Sequence, residues 1–434
     1  MNKKGELIMH IDVAFFLDNG LHQGVDYRFP ERGNPGVGGT QYMFWSVAYF
    51  LRKKYKDIGV HLIAQRIENM PAGLNVHQAD NEIDAVKLAN ELNIDFLVLR
   101  GPTKNKLLFD YIEKYKVKCV FWSHNFENYE FCQLADNCEF VVKNVCVGKE
   151  QYERLYDHKI FSKSTYIYNA IDFENYLLEN KKKDGKVVCY MGSLTPRKGF
   201  HRLARNWKKI LQQVPDAQLY VLGASNLYSK QSQTVKASVL SKYEKKNMRY
   251  LSNNGKLLPG VKFFGVVSGK EKIALLNAAN IGVPNPTAVG ETFCIVAVEF
   301  EALHVPVVTI KKNGFLDTVR DRKTGYLFKN DREFVRYVVD LLNDEEQQGK
   351  IGAAASQFVR KEFTFDRACE AWRNLFEELK YNKCSYVNQF SNQHLSNNFK
   401  WLRVLCKRIP FMPSLLYFEF IAHRVYVLIK EIKK

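Results

Sequence analysis

The chain lacks any Cys-x-x-Cys pair among its nine cysteines, and no histidine stands at ligand spacing beside one. This removes the common zinc modules and leaves no metal site to expect. The cysteines, at 119, 132, 138, 146, 189, 294, 369, 384 and 406, fall mostly in apolar stretches. They are expected to be reduced core thiols of a cytosolic protein. No apolar run reaches membrane-spanning length. The stretch 7–17 is broken by His10 and Asp12, so it reads as a first strand and not as a signal peptide. Short internal repeats are absent, as are zinc-finger, RNA-recognition and basic-zipper signatures. Acidic residues are too few to balance the basic ones: 46 against 64 leaves a net charge of +18. That points to a negative partner, and nucleic acid, anionic lipid and anionic glycan all qualify.

What is present fits a globular protein of two or three domains: 434 residues, 46% hydrophobic and 25% charged. Up to residue 165, apolar strand-like runs alternate with helical stretches. Strands are expected at 11–17, 60–64, 96–100 and 118–122, with two short ones at 140–142 and 145–147. Helices are expected at 41–55, 84–92 and 104–115. The charged stretch 179–185 marks a boundary region. A second series follows, with strands at 186–191, 218–222, 261–264, 281–283 and 305–309, and helices at 200–214 and 270–279. Residues 224–258 are polar and Lys-rich and read as a helical or loop insertion. The βαβ rhythm implies parallel, doubly wound sheets, which bind ligands at the carboxyl ends of their strands.

The most informative segment is 285–308. Glu291 and Glu299 are separated by seven residues. Pro286 and Gly290 place the first in a loop, while the run from Phe293 to Leu303 lacks Gly and Pro and suits a helix. One carboxylate then lies at the mouth of a helix and the other about two turns inside it. The amides of Thr292, Phe293 and Cys294 are expected at the helix start, where N–H groups and the dipole favour a phosphate. Glu299 would accept from a vicinal diol such as a ribose. The plain alternative is that Glu299 is a solvated helix residue, since pairs at this spacing also arise by chance. The loop 33–40 carries four glycines and a proline. Gly38, Gly39 and Thr40 could present amides to a pyrophosphate there, although such a loop is also consistent with a surface turn. Lys198, with Arg197 beside it, follows the first strand of the second series. His124 ends a strand of the first.

Several ordered segments across residues 8–380 resemble family-4 retaining glycosyltransferases. The Glu-x7-Glu pattern of Glu291 and Glu299 is the first. Tyr190 to Phe200 resembles the segment Gly-Arg-Leu-x-x-x-Lys-Gly, with Lys198 at the lysine but Ser193 where the family has arginine. Gly38-Gly39 resembles the donor-facing glycine loop, and His124 the histidine that contacts the donor sugar. Tyr168 to Phe173 resembles the interdomain linker, and Phe264 with Val266 the strand end beside the nucleobase. Asn313-Gly314 and Thr324 to Leu327 resemble the late glycine loop and turn.

The resemblance implies a GT-B fold: two Rossmann-like, doubly wound α/β domains facing across a cleft. It implies an acceptor-side domain at 1–168, a nucleotide-sugar domain at 169–360, and closing helices at 361–382 that cross back to the first domain. The helical extension 383–434 lies beyond it. The implied activity is retaining transfer of a sugar from a nucleotide-sugar to a glycan or lipid-linked glycan, in surface polysaccharide or lipopolysaccharide biosynthesis. Catalytic roles fall to Glu291, Lys198 and His124. Donor contacts fall to Gly38, Gly39, Thr40, Arg197, Phe264, Val266, Thr292, Phe293, Cys294 and Glu299. The chain has no Asp-x-Asp, the metal motif of the other major glycosyltransferase fold, so metal-independent chemistry without a cofactor is expected. Nothing in the motifs distinguishes UDP from GDP.

Two other classes share the pattern: a nucleic-acid-binding protein built on Rossmann domains, and a phosphorylase or non-transferring sugar-binding protein. The first lacks base-reading signatures. A glycogen-phosphorylase-like enzyme would need a cofactor lysine that no segment supplies.

In the tail, Lys400, Arg403, Lys407 and Arg408 interleave with Trp401, Leu402, Leu405 and Ile409 at helical spacing. Pro410 and Pro413 then break the chain before a second apolar segment. This suits peripheral attachment to an anionic surface on the inner face of a cytoplasmic membrane. The alternative is two extra helices packed on the first domain.

Overall fold

The computed structural model describes residues 10–177, 185–224, 242–381 and 390–432. Their contacts divide into two units. Described residues up to Arg28, Met43 to Asn169, and Ala368 onward form the first; Phe29–Tyr42 and Ala170–Arg367 form the second.

The first unit holds a parallel sheet of seven strands in the order β3-β2-β1-β4-β5-β6-β7. These are β1 (Ile11–Leu17), β2 (Ile58–Ala64), β3 (Asn75–Gln78), β4 (Phe96–Gly101), β5 (Cys119–Ser123), β6 (Val141–Cys146) and β7 (Ser164–Tyr166). Central strands such as β1 and β5 are apolar on both faces because helices cover both sides of a parallel sheet. The helices are α1 (Gly39–Lys54), α2 (Glu82–Glu91), α3 (Lys106–Tyr115), α4 (Tyr129–Asn137) and α5 (Lys149–Glu153). α2, α3 and α4 each begin on an asparagine (Asn81, Asn105, Asn128) whose side chain accepts from a first-turn amide.

The second unit has a six-stranded parallel sheet in the order β12-β9-β8-β13-β14-β15. Its strands are β8 (Lys186–Met191), β9 (Ala217–Leu222), β12 (Val261–Gly265), β13 (Ile281–Gly282), β14 (Val307–Ile310) and β15 (Gly325–Phe328). A small antiparallel pair, β10 (Ser252–Asn253) and β11 (Lys256–Leu257), stands apart. The helices are α6 (Phe200–Leu211), α7 (Lys242–Tyr250), α8 (Gly269–Asn277), α9 (Ile295–Ala302), α10 (Phe315–Thr318), α11 (Asp331–Asn343) and α12 (Glu345–Glu362). Counted within each sheet, and leaving out the β10–β11 pair, both units run third, second, first, fourth, fifth, sixth, and the first adds a seventh beside the sixth. That is the dinucleotide-fold order, and ligands of such sheets sit at the carboxyl edge.

Four expectations change. The strands expected at 140–142 and 145–147 are one strand, β6, because Lys143 and Asn144 continue the ladder with β5. Residues 29–42 group with the second unit, not with a first domain of 1–168. They are tied there by Asn175, whose amide donates to the Glu31 carbonyl at 2.6 Å, and by the Tyr42 and Phe365 rings, 6.3 Å apart. The closing segment 361–382 is a single helix, α13 (Phe365–Tyr381), while 361–362 end α12. From Ala368 onward this helix belongs to the first unit, where Trp372 packs against Phe15, Trp122 and Phe376. Most of the boundary stretch 179–185, and residues 225–241 of the insertion 224–258, lie outside the described residues.

The tail supplies the fourth. α14 (Lys400–Arg408) and α15 (Leu415–Ile432) are helical as expected, but Lys400 and Arg403 do not face outward. Both are 0% exposed. Lys400 Nζ is 2.7 Å from Glu150 Oε1 and also pairs with Glu153. Arg403 bridges Asp157 at 3.0 Å and Glu419 at 2.7 Å. Tyr156 stacks on Phe390 at 4.1 Å, and Leu416 joins the core of the first unit. A buried cation among acids is stable only while all are paired. Lys400→Ala should therefore lower the unfolding free energy of the first unit by about 3–5 kcal/mol in urea denaturation. Arg408→Ala, at an exposed position, should shift it by under about 0.5 kcal/mol. Equal effects would mean that the buried ions do not hold the tail.

Candidate active site

In the second unit the carboxyl-edge loops are stitched together through their backbones. The amides of Gly192, Leu194 and Gly223 donate to the carbonyls of Leu222 (3.0 Å), Ala224 (3.0 Å) and Gly265 (2.6 Å). Gly223 has φ +128°, and a Cβ there would lie 2.1 Å from the Gly192 carbonyl oxygen, so only glycine allows this approach. Buried Tyr190 shapes the next loop by donating from its hydroxyl to the Lys198 carbonyl at 2.9 Å. Gly199, at φ +71°, then turns the chain into α6.

This loop delivers Lys198 to Glu291. Lys198 Nζ stands 3.0 Å from Glu291 Oε2, which also accepts from Asn285 Nδ2 at 2.8 Å. Thr287 Oγ1 donates to Asn285 Oδ1 at 3.0 Å and fixes that amide. The Glu291 carboxylate holds the Lys198 ammonium above its ordinary pKa, so the cation stays charged. Arg197 reaches the same loop: a Cβ on Gly290 would lie 2.4 Å from its guanidinium. The two neighbouring cations therefore flank Gly290 and Glu291 together. Ser193 lies earlier in the turn, where its carbonyl accepts from Tyr190 at 3.3 Å.

α9 begins at Ile295, with Cys294 as its cap residue. The first-turn amides are thus those of Ile295 and Val296. Thr292, Phe293 and Cys294 form the approach to the helix and not its first turn. Gly314 packs on this approach, its amide donating to the Glu291 carbonyl at 3.1 Å. Glu299, inside α9, is 5% exposed and is no solvated residue. Its Oε1 accepts from Tyr176 Oη at 2.6 Å and Lys272 Nζ at 2.7 Å.

The glycine loop comes to the same end of α9: a Cβ on Gly39 would lie 3.4 Å from Ile295 Cδ1. Asn34 shapes the loop by accepting from the amides of Gly36 and Val37, both at 2.9 Å. Gly39 and Thr40 open α1, with Gly38 just ahead of it, so two helix starts lie side by side. Phe264 and Val266 are half-buried around the end of β12, with Phe264 5.0 Å from Tyr220.

His124 belongs to the first unit, at the end of β5. Its ring lies 4.6 Å from that of Trp122 and 5.8 Å from that of Phe44. Nearby, a pocket of about 470 Å³ is lined by Phe126, Glu127, Tyr129 and Arg154 together with Phe420 and Arg424 of α15. Burial pushes the Glu127 carboxyl above its usual range. Sequence reasoning named none of Tyr176, Lys272, Asn285 and Glu127. Asn285 alone carried a signal, six residues before Glu291 in the segment already singled out. Among the described residues no group of His, Cys, Asp and Glu is placed to hold a metal ion.

Two α/β units of dinucleotide-fold order, one with a lysine–glutamate pair beside two helix starts, define the GT-B class of glycosyltransferase fold. The family description "Glycosyl transferases group 1" matches residues 175–358, all within the second unit. Among curated proteins, the chain is similar to the capsular polysaccharide biosynthesis glycosyltransferase CapM of Staphylococcus aureus, 29% identical over 45% of this chain and 49% of CapM. It is 26% identical to a phosphatidyl-myo-inositol mannosyltransferase of Mycobacterium tuberculosis, over 37% of this chain and 38% of that one. The chain thus spans about half the length, or less, of these relatives. Similarity to the putative glycosyltransferase YtcC of Bacillus subtilis extends over 80% of this chain and 84% of YtcC, at 21% identity. Among solved structures, a glycosyltransferase from Rickettsia africae superposes with TM-score 0.65 at 15% identity, covering 86% of this chain and all of that one. HepE of Anabaena, solved with UDP-glucose, superposes with TM-score 0.62 at 15% identity, covering 85% of this chain and all of HepE. These likenesses show the fold.

Burial and the Arg100 charge push the His124 pKa down to about 3, against about 6.5 for a free imidazole. Between these values the unfolded chain binds a proton that the folded one does not. Stability should therefore fall as pH drops below about 6.5 and the His124 contribution should level off near 3. His124→Gln should flatten this part of the profile. In the folded protein, the His124 imidazole NMR signals should not titrate between pH 8 and 5; titration near 6.5 would show that the ring is solvated.

Proposed function

We propose that this protein is a retaining, metal-independent hexosyltransferase that moves a sugar from a nucleotide-diphosphate sugar to a glycan or lipid-linked glycan. The observation that carries this reading is the Lys198–Glu291 pair, 3.0 Å apart at the approach to α9, with Glu299 buried farther along the helix. The names of CapM and the mannosyltransferase, in capsular polysaccharide biosynthesis and in phosphatidyl-myo-inositol mannosylation, support an acceptor of surface glycan or lipid-linked type. HepE with its bound UDP-glucose supports a nucleotide-sugar donor.

In this reading the donor lies in the second unit. Glu299, already oriented by Tyr176 and Lys272, takes the ribose diol. Phe264 and Val266 border the base. Gly38, Gly39 and Thr40 offer backbone to the diphosphate, as do Thr292, Phe293 and Cys294 on the approach to α9. Glu291 orients the sugar hydroxyls. As the anomeric carbon–oxygen bond breaks, negative charge develops on the departing diphosphate. Lys198, with Arg197 beside it and the helix starts near it, stabilises that charge in place of a divalent cation. The acceptor hydroxyl attacks on the face the diphosphate leaves and passes its proton to a donor phosphate oxygen. The products are a glycoside of unchanged anomeric configuration and a nucleoside diphosphate. His124 contacts the sugar as a neutral imidazole. The pocket beside α4 and α15 mixes aromatic rings with both signs of charge, chemistry suited to the acceptor glycan. No cofactor takes part. The setting is the cytoplasmic face of a membrane, and nucleic acid is not a partner.

A screen of UDP- and GDP-sugars by thermal shift, followed by hydrolysis assays with the best donor, tests the reading. A stabilising donor, turnover that survives EDTA, and retained configuration by NMR are the expected results. Salt-dependent binding to RNA or DNA with no donor effect would favour the nucleic-acid class instead. With a donor in hand, Lys198→Ala and Glu291→Ala should each cut turnover by about a hundredfold or more in a folded protein. Arg197→Ala should also reduce turnover, and Ser193→Arg should partly restore it. A silent Arg197→Ala would leave the site with Lys198 in place of the family's cation pair.

A further inference from the structure

α14 is built inside out. Its inward face carries the cations Lys400 and Arg403, both fully buried among Glu150, Glu153, Asp157 and Glu419. Its outward face carries Trp401 and Leu405, one turn apart, with Ile409 just past its end, and all three are exposed. The turn that follows adds Phe411, which is fully exposed, and Met412. α15 continues the exposed apolar surface with Phe418, Ile421, Val425 and Leu428. Residues 421–431 are all exposed, although Arg424 still borders the pocket beside α4. The buried ion pairs explain why the apolar stripe cannot simply roll inward: doing so would break two cations away from four carboxylates.

A contiguous apolar surface of this kind marks an interaction site. The charges around it choose the partner. Arg408, Arg424 and Lys430 are exposed on these two helices, with Glu431 as the exposed acid near the end of α15, while Lys407 lies on the inward face with its ammonium over the Tyr156 ring. In a two-fold dimer the same surface meets itself, so this cationic rim would face its own copy. An anionic bilayer offers the opposite charge together with an apolar interior. Aromatic side chains at the edge of such a stripe suit the head-group level. No helix among the described residues is long and apolar enough to cross a membrane, which leaves lying in the interface.

We propose that the outward face of α14 and α15 seats in the head-group region of an anionic lipid leaflet. Trp401, Leu405, Ile409 and Phe411 enter the acyl boundary, and Arg408, Arg424 and Lys430 lie at phosphate level. This deepens the reading of a lipid-linked acceptor, but the docking itself does not depend on that activity. It also reverses the mode expected from sequence. Lys400 and Arg403 do not touch lipid; they fix the helix so that its apolar residues do.

Flotation of the full chain with vesicles tests this. Vesicles of phosphatidylglycerol and phosphatidylcholine should carry the protein, and pure phosphatidylcholine vesicles should carry far less. Leu405→Glu combined with Phe411→Glu should weaken binding to anionic vesicles by at least tenfold, with an unchanged unfolding midpoint. Arg408→Glu with Lys430→Glu should remove most of the preference for anionic lipid. Sedimentation velocity without lipid should show a species that Leu405→Glu does not alter. Absence of flotation, equal flotation of the Leu405/Phe411 variant, or a dimer that Leu405→Glu dissolves would each overturn the proposal. Flotation without donor turnover would instead leave this surface standing and remove the transferase reading.

Discussion

Lys198 and Glu291 are 93 residues apart in the chain and 3.0 Å apart in the fold. Their contact joins the loop after β8 to the loop before α9, and the candidate site is arranged around that junction. It is not what holds the unit together. The Lys198 side chain is 38% exposed, and a pair that open contributes only about 0–1 kcal/mol. The second unit is stable through its apolar core and its backbone ladder. The contact therefore matters for position: it sets a cation, still charged, beside two helix starts. Asn285 and Thr287 hold the carboxylate from one side, and the Tyr190 hydroxyl holds the lysine's backbone from the other.

A second carboxylate, Glu299, is held in the same manner as Glu291, which is also buried. It is buried and takes two donors on one oxygen, Tyr176 and Lys272. Burial and the Glu299 charge push the Tyr176 hydroxyl well above its usual pKa, so it remains a donor. Two glutamates at a fixed spacing are thus both buried and both paired with a lysine, but the Lys198 side chain is 38% exposed and that of Lys272 only 11%. That difference suits two different jobs on one ligand, the first near moving charge and the second at a neutral diol.

The strand pattern was legible because central parallel strands are apolar runs, and the glycine and lysine loops were legible because they follow those runs. β3, with the polar sequence Asn75 to Gln78 at the sheet edge, offered no such run. α9 starts at Ile295, later than the absence of Gly and Pro suggested, because helix ends are set by local backbone and not by composition. Tyr176 and Lys272 were invisible for another reason: each reaches Glu299 from a distant segment, and nothing local marks them. The tail shows the same limit most clearly. A helix that alternates basic and apolar residues fits either orientation, and the acids that decide it lie about 250 residues earlier. Sequence periodicity shows that two faces differ; only the fold shows which one is inside.

The account stands or falls on where a nucleoside diphosphate binds. A crystal structure of the protein with UDP or GDP addresses this directly. The account predicts phosphate oxygens within hydrogen-bonding distance of Lys198 Nζ and of the backbone near Gly39 or Thr292, with ribose hydroxyls on Glu299. A nucleotide bound elsewhere, with Lys198 still closed on Glu291 and Glu299 bonded only to Tyr176 and Lys272, would contradict it.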